Sequence, residues 1–263
     1  MKVNLHTHTN RCGHATGTDE EYVKAALEGG FQTLGFSDHV PWPYASGYSH
    51  TRVRMALEQL PDYVASVQNL QIRYAERIRI FCGFECEYFP EYINWLSDMA
   101  EEYKLDYLIL GNHYDKTDET GMYFGNTKTA AELARYVSLT IQGLETGLFS
   151  YLAHPDLFMK RWPGGFSKEC QAAAKDLCEA CRSLSIPMEY NTHMRFELGK
   201  NAGYPCQEMF ETARDMNVSV LIGLDAHRPA ELSDPIQWNL AEKELSALNI
   251  RLTEMPDLIS FGL

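Results

Sequence analysis

The chain has 263 residues, enough for one α/β barrel or two smaller domains, and its composition is that of an ordinary folded protein. Its 36 Asp and Glu residues outnumber the 23 Lys and Arg residues, which gives a formal net charge of −13. This balance argues against nucleic acid and anionic membranes as partners, because both bind basic patches, but it leaves room for a small anionic substrate beside bound metal ions.

Short apolar segments that predict strands recur along the whole chain. Most of them are continuously apolar rather than alternating, which is typical of strands covered on both faces in a parallel sheet. A further apolar segment at residues 250–255 could be an extra strand or only a tail. In chain order, the predicted strands are residues 2–6, 33–37, 78–85, 106–111, 149–154, 186–191 and 218–223.

Helical patterns fill the gaps between these strands. Thr18 with Glu21, and Thr129 with Glu132, have the spacing of a capping box, and apolar residues follow each pair at helical intervals. Alternation of strands and helices over this length predicts a parallel α/β fold. We expect a TIM-like barrel of seven strand–helix units, (β/α)7, in a single domain over residues 1–263.

Two connecting segments, residues 40–50 and 112–128, are longer than usual and polar. Segments that follow barrel strands commonly carry the binding and catalytic groups of such folds. We therefore expect these two loops to form lids or walls around a substrate.

Nothing in the sequence predicts export or a membrane span. The first ten residues contain only three apolar side chains, which does not match a signal peptide. The apolar run at 218–224 is far too short to cross a bilayer. Seven cysteines without a paired framework favour a reducing cytoplasm, and the sequence leaves the oligomeric state open.

Histidines and carboxylates follow almost every predicted strand. His6 and His8 are separated by one residue, which points both side chains to the same face of a strand. Asp225 and His227 repeat this spacing after the last strand. In a barrel, the carboxyl ends of the strands converge on one rim, and histidine is the commonest metal ligand among side chains. The candidate metal ligands are His6, His8, His14, His39, Glu85, His113, His154, Asp225 and His227.

This set of donors predicts a metal centre at the carboxyl ends of the strands. A single histidine is more often an ordinary polar residue, but independent structural histidines would not all fall at strand ends. Imidazole and carboxylate donors without thiolate suit zinc, iron or manganese. The clusters are too many for one tetrahedral ion, so we expect two or three divalent ions.

The segments that contain these residues form a series of motifs in a fixed order: "HTH" at 6–8, "GFQTLGFSDH" at 30–39, "GFECEY" at 83–88, "ILGNHY" at 109–114, "LAHPD" at 152–156, "EYNTHMR" at 189–195 and "LIGLDAH" at 221–227. In order and spacing they resemble the motifs of the polymerase-and-histidinol-phosphatase superfamily of metal-dependent phosphoesterases. The resemblance spans essentially the whole chain and is greatest for the histidinol-phosphatase branch.

The resemblance implies a distorted seven-stranded barrel with a trinuclear metal centre. It implies that the first ion is held by His6, His8, Glu85 and Asp225. The second ion shares Glu85 and is also held by His113 and His154. The third ion is held by His14, His39 and His227.

The same resemblance implies hydrolysis of a phosphate monoester, most closely L-histidinol phosphate in histidine biosynthesis. A metal-bridging hydroxide would attack phosphorus, with Glu85 and Asp225 in the catalytic set. We expect Arg195 and Arg161 to clamp the phosphate, because a guanidinium group binds phosphate bidentately. The residues expected around the substrate are Arg161, Arg195, His193, Asn191 and Arg228.

Several residues depart from the family pattern close to where substrate would bind. Leu224 precedes the aspartate of the last motif where serine is frequent, and Arg228 follows its histidine where small residues are usual. His193 and Met194 stand where serine and glycine are frequent. None of these changes removes a candidate ligand, so they put the identity of the substrate in doubt rather than the phosphoester chemistry.

The sequence leaves three other functions open. The same chemistry could act on a nucleotide, a sugar phosphate or a phosphotyrosine peptide. An amidohydrolase would also place H-x-H after its first strand, but no strand here ends in the lysine that those enzymes usually carboxylate. A non-catalytic metal-binding module would leave Glu85, as a bridging ligand beside arginines, without a role.

Overall fold

A curled parallel sheet forms a half-barrel in the computed structural model, which describes residues 1–198 and 203–262. Its four strands follow one another in the order of the sequence, and each pairs in parallel with the next. This arrangement confirms the predicted α/β class with parallel strands. The strands are β1 (Val3–Asn4), β2 (Thr33–His39), β3 (Arg79–Cys86) and β4 (Tyr107–Leu110).

The second sheet contains two parallel strands, β5 (Met188–Asn191) and β6 (Val220–Gly223). Single-residue bridges join it to the first sheet. Leu152 bridges both Leu110 of β4 and Met188 of β5, and on the other side Thr7 bridges Ala226. Leu252, in the segment that the sequence left open, bridges Val220 in the same way.

The prediction of seven strands is therefore wrong for the part of the chain that the structure describes. The missing strand is the predicted one at 149–154, which forms isolated bridges at Leu152 and no continuous ladder, although Ser150, Tyr151 and Ala153 also share backbone hydrogen bonds with β4. Proline limits the pairing on the side of β5, because Pro155 ends this segment and Pro187 lies opposite it just before β5. Proline has no amide hydrogen and interrupts a ladder of backbone hydrogen bonds.

Helices connect the strands and cover the outside of the sheets. Both predicted capping boxes are confirmed: the Thr18 and Thr129 side chains accept from the backbone amides of Glu21 and Glu132, and both glutamates return the bond. The helices are α1 (Asp19–Glu28), α2 (Leu60–Arg73), α3 (Ile93–Glu102), α4 (Ala130–Glu145), α5 (Lys168–Leu184), α6 (His193–Leu198), α7 (Gln207–Asp215), α8 (Pro229–Ser233) and α9 (Ile236–Ala247). No helix among the described residues is long and apolar enough to cross a membrane.

A small apolar cluster, separate from the main core between helices and sheets, lies directly beneath the polar strand ends. Both sheets contribute to it, so their inner faces pack against each other. Two of its members immediately precede a candidate ligand: Leu5 precedes His6 and Ala153 precedes His154. The cluster thus forms an apolar floor for the site. Its members are Val3, Leu5, Tyr107, Ile109, Tyr151, Ala153 and Leu221.

Candidate metal centre

Glu85 lies at the centre of the polar cluster at the carboxyl ends of the strands. The parallel register pairs it with His39 of β2, and the His39 Nδ1 atom lies 3.1 Å from Glu85 Oε2. On the other carboxylate oxygen, Oε1, His154 Nε2 lies at 2.6 Å and His113 Nε2 at 3.4 Å. The Nε2 atoms of His6 and His8 each lie 3.5 Å from Oε2. A single buried carboxylate therefore contacts imidazoles from five places in the sequence.

Asp225 is the second carboxylate of the cluster and faces Glu85 across the same histidines. Its Oδ1 atom lies 2.9 Å from His8 Nε2 and 3.5 Å from His6 Nε2. Its backbone has a φ of 50°, in the left-handed region, and His154 has a φ of 27°. Aspartate and histidine tolerate this region better than most residues, and such strain is concentrated at functional sites.

His14, His39 and His227 form a third group of donors that could hold one ion. The Nδ1 atoms of His14 and His227 face backbone carbonyl oxygens, those of Cys12 at 3.1 Å and Asp225 at 2.9 Å. Both Nδ1 atoms must therefore donate, which leaves both Nε2 atoms as acceptors in the neutral rings. These two Nε2 atoms lie 2.9 Å apart. Two lone pairs this close repel each other, so a cation bound to both nitrogens would stabilise the pair.

Several donor atoms in the cluster are buried and have no hydrogen-bond partner. They include Asp225 Oδ1 and His8 Nε2, which are close together but not aligned for a hydrogen bond. Buried polar atoms are almost always satisfied in folded proteins, so a group of exceptions in one place needs an explanation. Imidazole and carboxylate donors of this kind fit divalent metal ions. The unpartnered ligand atoms are His6 Nε2, His8 Nε2, His39 Nδ1, His154 Nδ1 and Asp225 Oδ1.

The protonation equilibria of the cluster also favour a cation. Burial raises the pKa of Glu85 and Asp225, but the surrounding imidazoles more than offset it and hold both values well below the usual range. Burial lowers the pKa of His39 and His227 well below the ordinary histidine value. Around neutral pH this part of the site therefore offers anionic carboxylates together with neutral imidazoles at His39 and His227, which are the forms that bind metals.

His6, His8 and His154, whose pKa values are raised, differ from His14, His39 and His227. Burial lowers the pKa of the first three, but the nearby carboxylates outweigh it. The carboxylates, with Glu189 first among them, raise the pKa of His6 well above its ordinary value, and those of Asp225 and Asp38 raise that of His8 to about 9. A proton therefore occupies this part of the cluster when no other cation does, so metal binding must release protons here.

An outer set of carboxylates orients three of the imidazoles. Glu189 Oε1 lies 2.8 Å from His6 Nδ1, Asp38 Oδ1 lies 3.4 Å from His8 Nδ1, and Glu87 Oε1 lies 3.1 Å from His113 Nδ1. Such partners fix the tautomer of a ligating histidine and turn its other nitrogen toward the metal. Glu189 was not among the residues predicted from the sequence. The pattern that could have identified it is a charged residue inside the apolar strand segment "IPMEYN".

Two glycines make room for the buried carboxylates. A Cβ atom on Gly111, just after β4, would lie 2.0 Å from Glu85 Oε1. A Cβ atom on Gly223, at the end of β6, would lie 1.8 Å from Glu189 Oε1. Since no side chain fits at either distance, these positions require glycine for space.

A cavity of about 270 Å³ opens over the cluster. Candidate ligands line it together with Val53 and with residues that follow β4, the Leu152 bridge and β5. Lys160 is its half-buried cation, with Nζ 3.5 Å from the Tyr123 hydroxyl and 5.3 Å from the centre of that ring. The lining residues outside the ligand set are Val53, Tyr114, Tyr123, Leu157, Lys160, His193 and Tyr204.

Neither arginine predicted to clamp the phosphate lines this cavity. Arg161 is exposed just beyond the short helix that carries Lys160. The Arg195 guanidinium pairs with Glu244 and donates to the Tyr190 hydroxyl at 2.7 Å. A phosphate-binding role for these two arginines stays a prediction, and Lys160 is the cation that the sequence analysis missed.

The other residues predicted near the substrate have different surroundings. His193 lines the cavity, and its ring centre lies 4.6 Å from that of His227. Asn191 is buried and donates to Glu189 at 2.9 Å and to Asp225 at 3.2 Å, so it supports the carboxylates. Arg228 is half-exposed and pairs with Glu231 at 2.7 Å.

Comparison with known proteins identifies the family of this chain. Residues 4–193 match the PHP domain family. A probable histidinol-phosphatase of Deinococcus radiodurans is 30% identical over 237 residues, which are 86% of each chain. The histidinol-phosphatase of Bacillus subtilis is 23% identical over 88% of this chain and 96% of its own.

A solved structure shares the fold. The histidinol phosphate phosphatase of Lactococcus lactis, crystallised with zinc, L-histidinol and phosphate, superimposes with a TM-score of 0.75. The superposition covers 99% of this chain and 97% of that one at 17% sequence identity. The family match covers most of the chain, and the resemblance inferred from the motifs is confirmed. The chain belongs to the PHP domain family.

Proposed function

We propose that this chain is a metal-dependent phosphate monoester hydrolase and that its substrate is L-histidinol phosphate. The observation that carries the proposal is the cluster itself: imidazoles from several strand ends surround the buried carboxylates Glu85 and Asp225, beside a cavity that contains Lys160. The names of the Deinococcus radiodurans and Bacillus subtilis relatives support the choice of substrate.

The proposed metal centre holds two or three divalent ions, with zinc, iron or manganese as the candidates. Glu85 is the donor shared by the first two ions, as its contacts with histidines on both oxygens favour. When bound, the ions supply a water of lowered pKa as nucleophile and neutralise the charge of the phosphate. The proposed ligands are His6, His8, His14, His39, Glu85, His113, His154, Asp225 and His227.

The protein's own groups would bind and orient the substrate around this centre. Lys160 carries a positive charge into the cavity, where it would hold a phosphate oxygen through a charge-assisted hydrogen bond. Tyr123 lies under the Lys160 ammonium group and restricts its movement. His193 and Tyr204 would contact the part of the substrate beyond the phosphate, because both line the cavity beside candidate ligands without belonging to the ligand set.

The finer architecture follows from the same proposal. Single-residue bridges at Leu152 and between Thr7 and Ala226 join the two sheets on both sides. We infer that they close a TIM-like barrel, that residues 1–263 form one domain, and that the enzyme works in a reducing cytoplasm on a small phosphorylated substrate. Such closure would bring the donors of both sheets to one rim.

The test is phosphate release from L-histidinol phosphate by zinc-loaded protein, compared with a nucleotide, a sugar phosphate and a phosphotyrosine peptide. We expect kcat/KM of roughly 10⁴ M⁻¹s⁻¹ or more for L-histidinol phosphate and much lower values for the others. A clear preference for another ester would replace the substrate but keep the chemistry. No release from any ester by protein with a full complement of zinc would overturn the proposal.

A further inference from the structure

A chain of buried charges runs from the candidate metal centre to the two long loops. Its central member, Arg54, is 2% exposed and follows the 40–50 loop. On one side it pairs with Glu87, which is 1% exposed, and on the other with Asp118, whose side chain is fully buried in the 112–128 loop. None of these three residues lines the cavity over the metal centre, so direct contact with the substrate does not explain their burial.

All three nitrogens of the Arg54 guanidinium are engaged. Nη2 donates to Glu87 Oε1 at 3.0 Å, and Nε donates to Asp118 Oδ2 at 2.8 Å. Nη1 donates to the Val40 carbonyl oxygen at 2.9 Å, directly after β2. Trp42 Nε1 donates to Glu87 Oε2 at 2.8 Å. The planar fork of arginine fits this three-sided environment, whereas a lysine ammonium would not.

Glu87 connects Arg54 to the candidate metal centre through His113. Its Oε1 atom lies 3.1 Å from His113 Nδ1, and a carboxylate can only accept, so Nδ1 carries the hydrogen. His113 Nε2 is then the bare nitrogen, and it lies 3.4 Å from Glu85 Oε1. His113 lies after β4 in irregular backbone, so no regular element fixes its ring. The Glu87 contact supplies that restraint.

Energetics argue against a purely stabilising role. Removing charges from water is costly, and a buried ion pair often contributes no more to stability than apolar side chains of the same volume. Here one guanidinium serves two buried carboxylates. Outer carboxylates of ligating histidines, in contrast, commonly contribute 10–100-fold to metal affinity or activity. The arrangement is better explained by positioning than by stability.

We propose that Arg54 is a positioning residue for the metal centre. It fixes Glu87, which holds His113 in the tautomer and orientation that present Nε2 to the ion beside Glu85. Through Asp118 and Val40, the same guanidinium ties both long loops to that ligand. This inference rests on the proposed function, because it assigns His113 to a bound ion.

The experiment compares three variants with the unaltered full chain. Arg54→Met removes the charge at similar volume, and Arg54→Lys keeps the charge but loses the fork. Asp118→Asn is the matched control, because it removes the other buried carboxylate charge beside Arg54 and leaves the contact between Glu87 and His113 in place. Two properties are measured: zinc bound per chain under competition with a chelator, and the ¹⁵N shifts of His113 in ¹⁵N-histidine-labelled protein, which report its tautomer.

We expect Arg54→Met to weaken the binding of one zinc ion by about 10–100-fold and to mix the His113 tautomers. Arg54→Lys should show the same change to a smaller degree, and it keeps the test valid if Arg54→Met does not fold. Asp118→Asn should bind zinc within about 3-fold of the unaltered protein, with one tautomer.

Two results would overturn the inference. One is unchanged zinc affinity and an unchanged tautomer in both Arg54 variants. The other is an equal loss in Asp118→Asn, which would mean that loop packing in general, and not the Glu87 link, supports the centre. Failure of the proposed function looks different, because the unaltered chain itself would then bind no zinc or release no phosphate.

Discussion

The two halves of the chain supply ligands to one centre by different means. In the first half, two central ligands are placed by regular strands: His39 ends β2 and Glu85 lies opposite it in β3. In the second half, which we call the irregular half, His154 and Asp225 stand on irregular backbone with positive φ, after a single-residue bridge and after β6. Strand register fixes His39 and Glu85 in the first, regular half, whereas His154 and Asp225 need additional hydrogen bonds.

Those additional bonds are visible around both strained residues. The His154 amide donates to Glu189 Oε2 at 3.0 Å, and Asn191 donates to Asp225 Oδ2 at 3.2 Å. A residue in the left-handed region costs on the order of 1–3 kcal/mol and persists only where its surroundings hold it. Glu189 therefore has the same importance for the second half that strand register has for the first.

The largest expected effect is at the residue that both halves share. Glu85→Gln keeps the shape of the side chain but removes the charge that faces His113, His154 and His39. We expect turnover to fall by more than about 100-fold, beyond the usual range for groups that only orient ligands, together with a loss of bound metal. Phosphate release and metal content measure this. Full activity in Glu85→Gln would contradict the shared role of the carboxylate.

Gly111→Ala tests the regular half without replacing a ligand. The new methyl group would lie 2.0 Å from Glu85 Oε1, so the carboxylate must move. Because a displacement of about 1 Å at a reacting centre can cost roughly 100-fold, we expect kcat/KM to fall by about that factor. Gly262→Ala is the control, since its nearest contact would be an ordinary 3.4 Å. Equal activity in the two variants would show that the Glu85 position tolerates displacement.

Gly223→Ala makes the corresponding change in the irregular half. Its methyl group would lie 1.8 Å from Glu189 Oε1, which orients His6 and also holds the His154 backbone. We expect a loss of about 10–100-fold in metal affinity, with a smaller loss of kcat/KM than for Gly111→Ala once metal is saturating. Zinc titration of both variants checks the order. A larger loss of kcat/KM in Gly223→Ala than in Gly111→Ala would mean that activity depends more on the placement of the strained residues than on that of Glu85.

The sequence predicted the donors of the site better than the groups that support them. Spacing and strand ends sufficed for the candidate ligands, because side chains at the ends of parallel strands must meet at one rim. The contact of Glu189 with His6 joins residues far apart in the sequence and has no local pattern. Lys160 and Arg161 are neighbours, and only the path of the short helix decides which of them lines the cavity.

The prediction of the sheet was correct in class and order but wrong in strand number. Continuous apolar runs identify buried strands, and each of the strands observed begins and ends close to a predicted one. The run at 149–154 has the same composition, yet it forms only isolated bridges at Leu152 and no continuous ladder. Pairing depends on the partner as well as the segment, and Pro187 in the neighbouring run has no amide hydrogen to donate. The pattern of apolar residues does not show that a backbone hydrogen-bond donor is missing.

The smallest expected effect is at the mouth of the cavity, in the irregular half. Lys160→Met removes the half-buried charge and keeps most of the side-chain volume. We expect kcat/KM to fall by about 10-fold with unchanged metal content, because a hydrogen bond to a charged group contributes about 1.5–3 kcal/mol. The effect should appear mainly in KM, because the charge meets the phosphate of the bound substrate as well as the transition state. Arg161→Met is the matched control on the neighbouring, exposed residue and should stay within about 2-fold. If Arg161→Met had the larger effect, the phosphate would be bound by the arginine that the sequence predicted, and the short helix would have to turn when substrate binds.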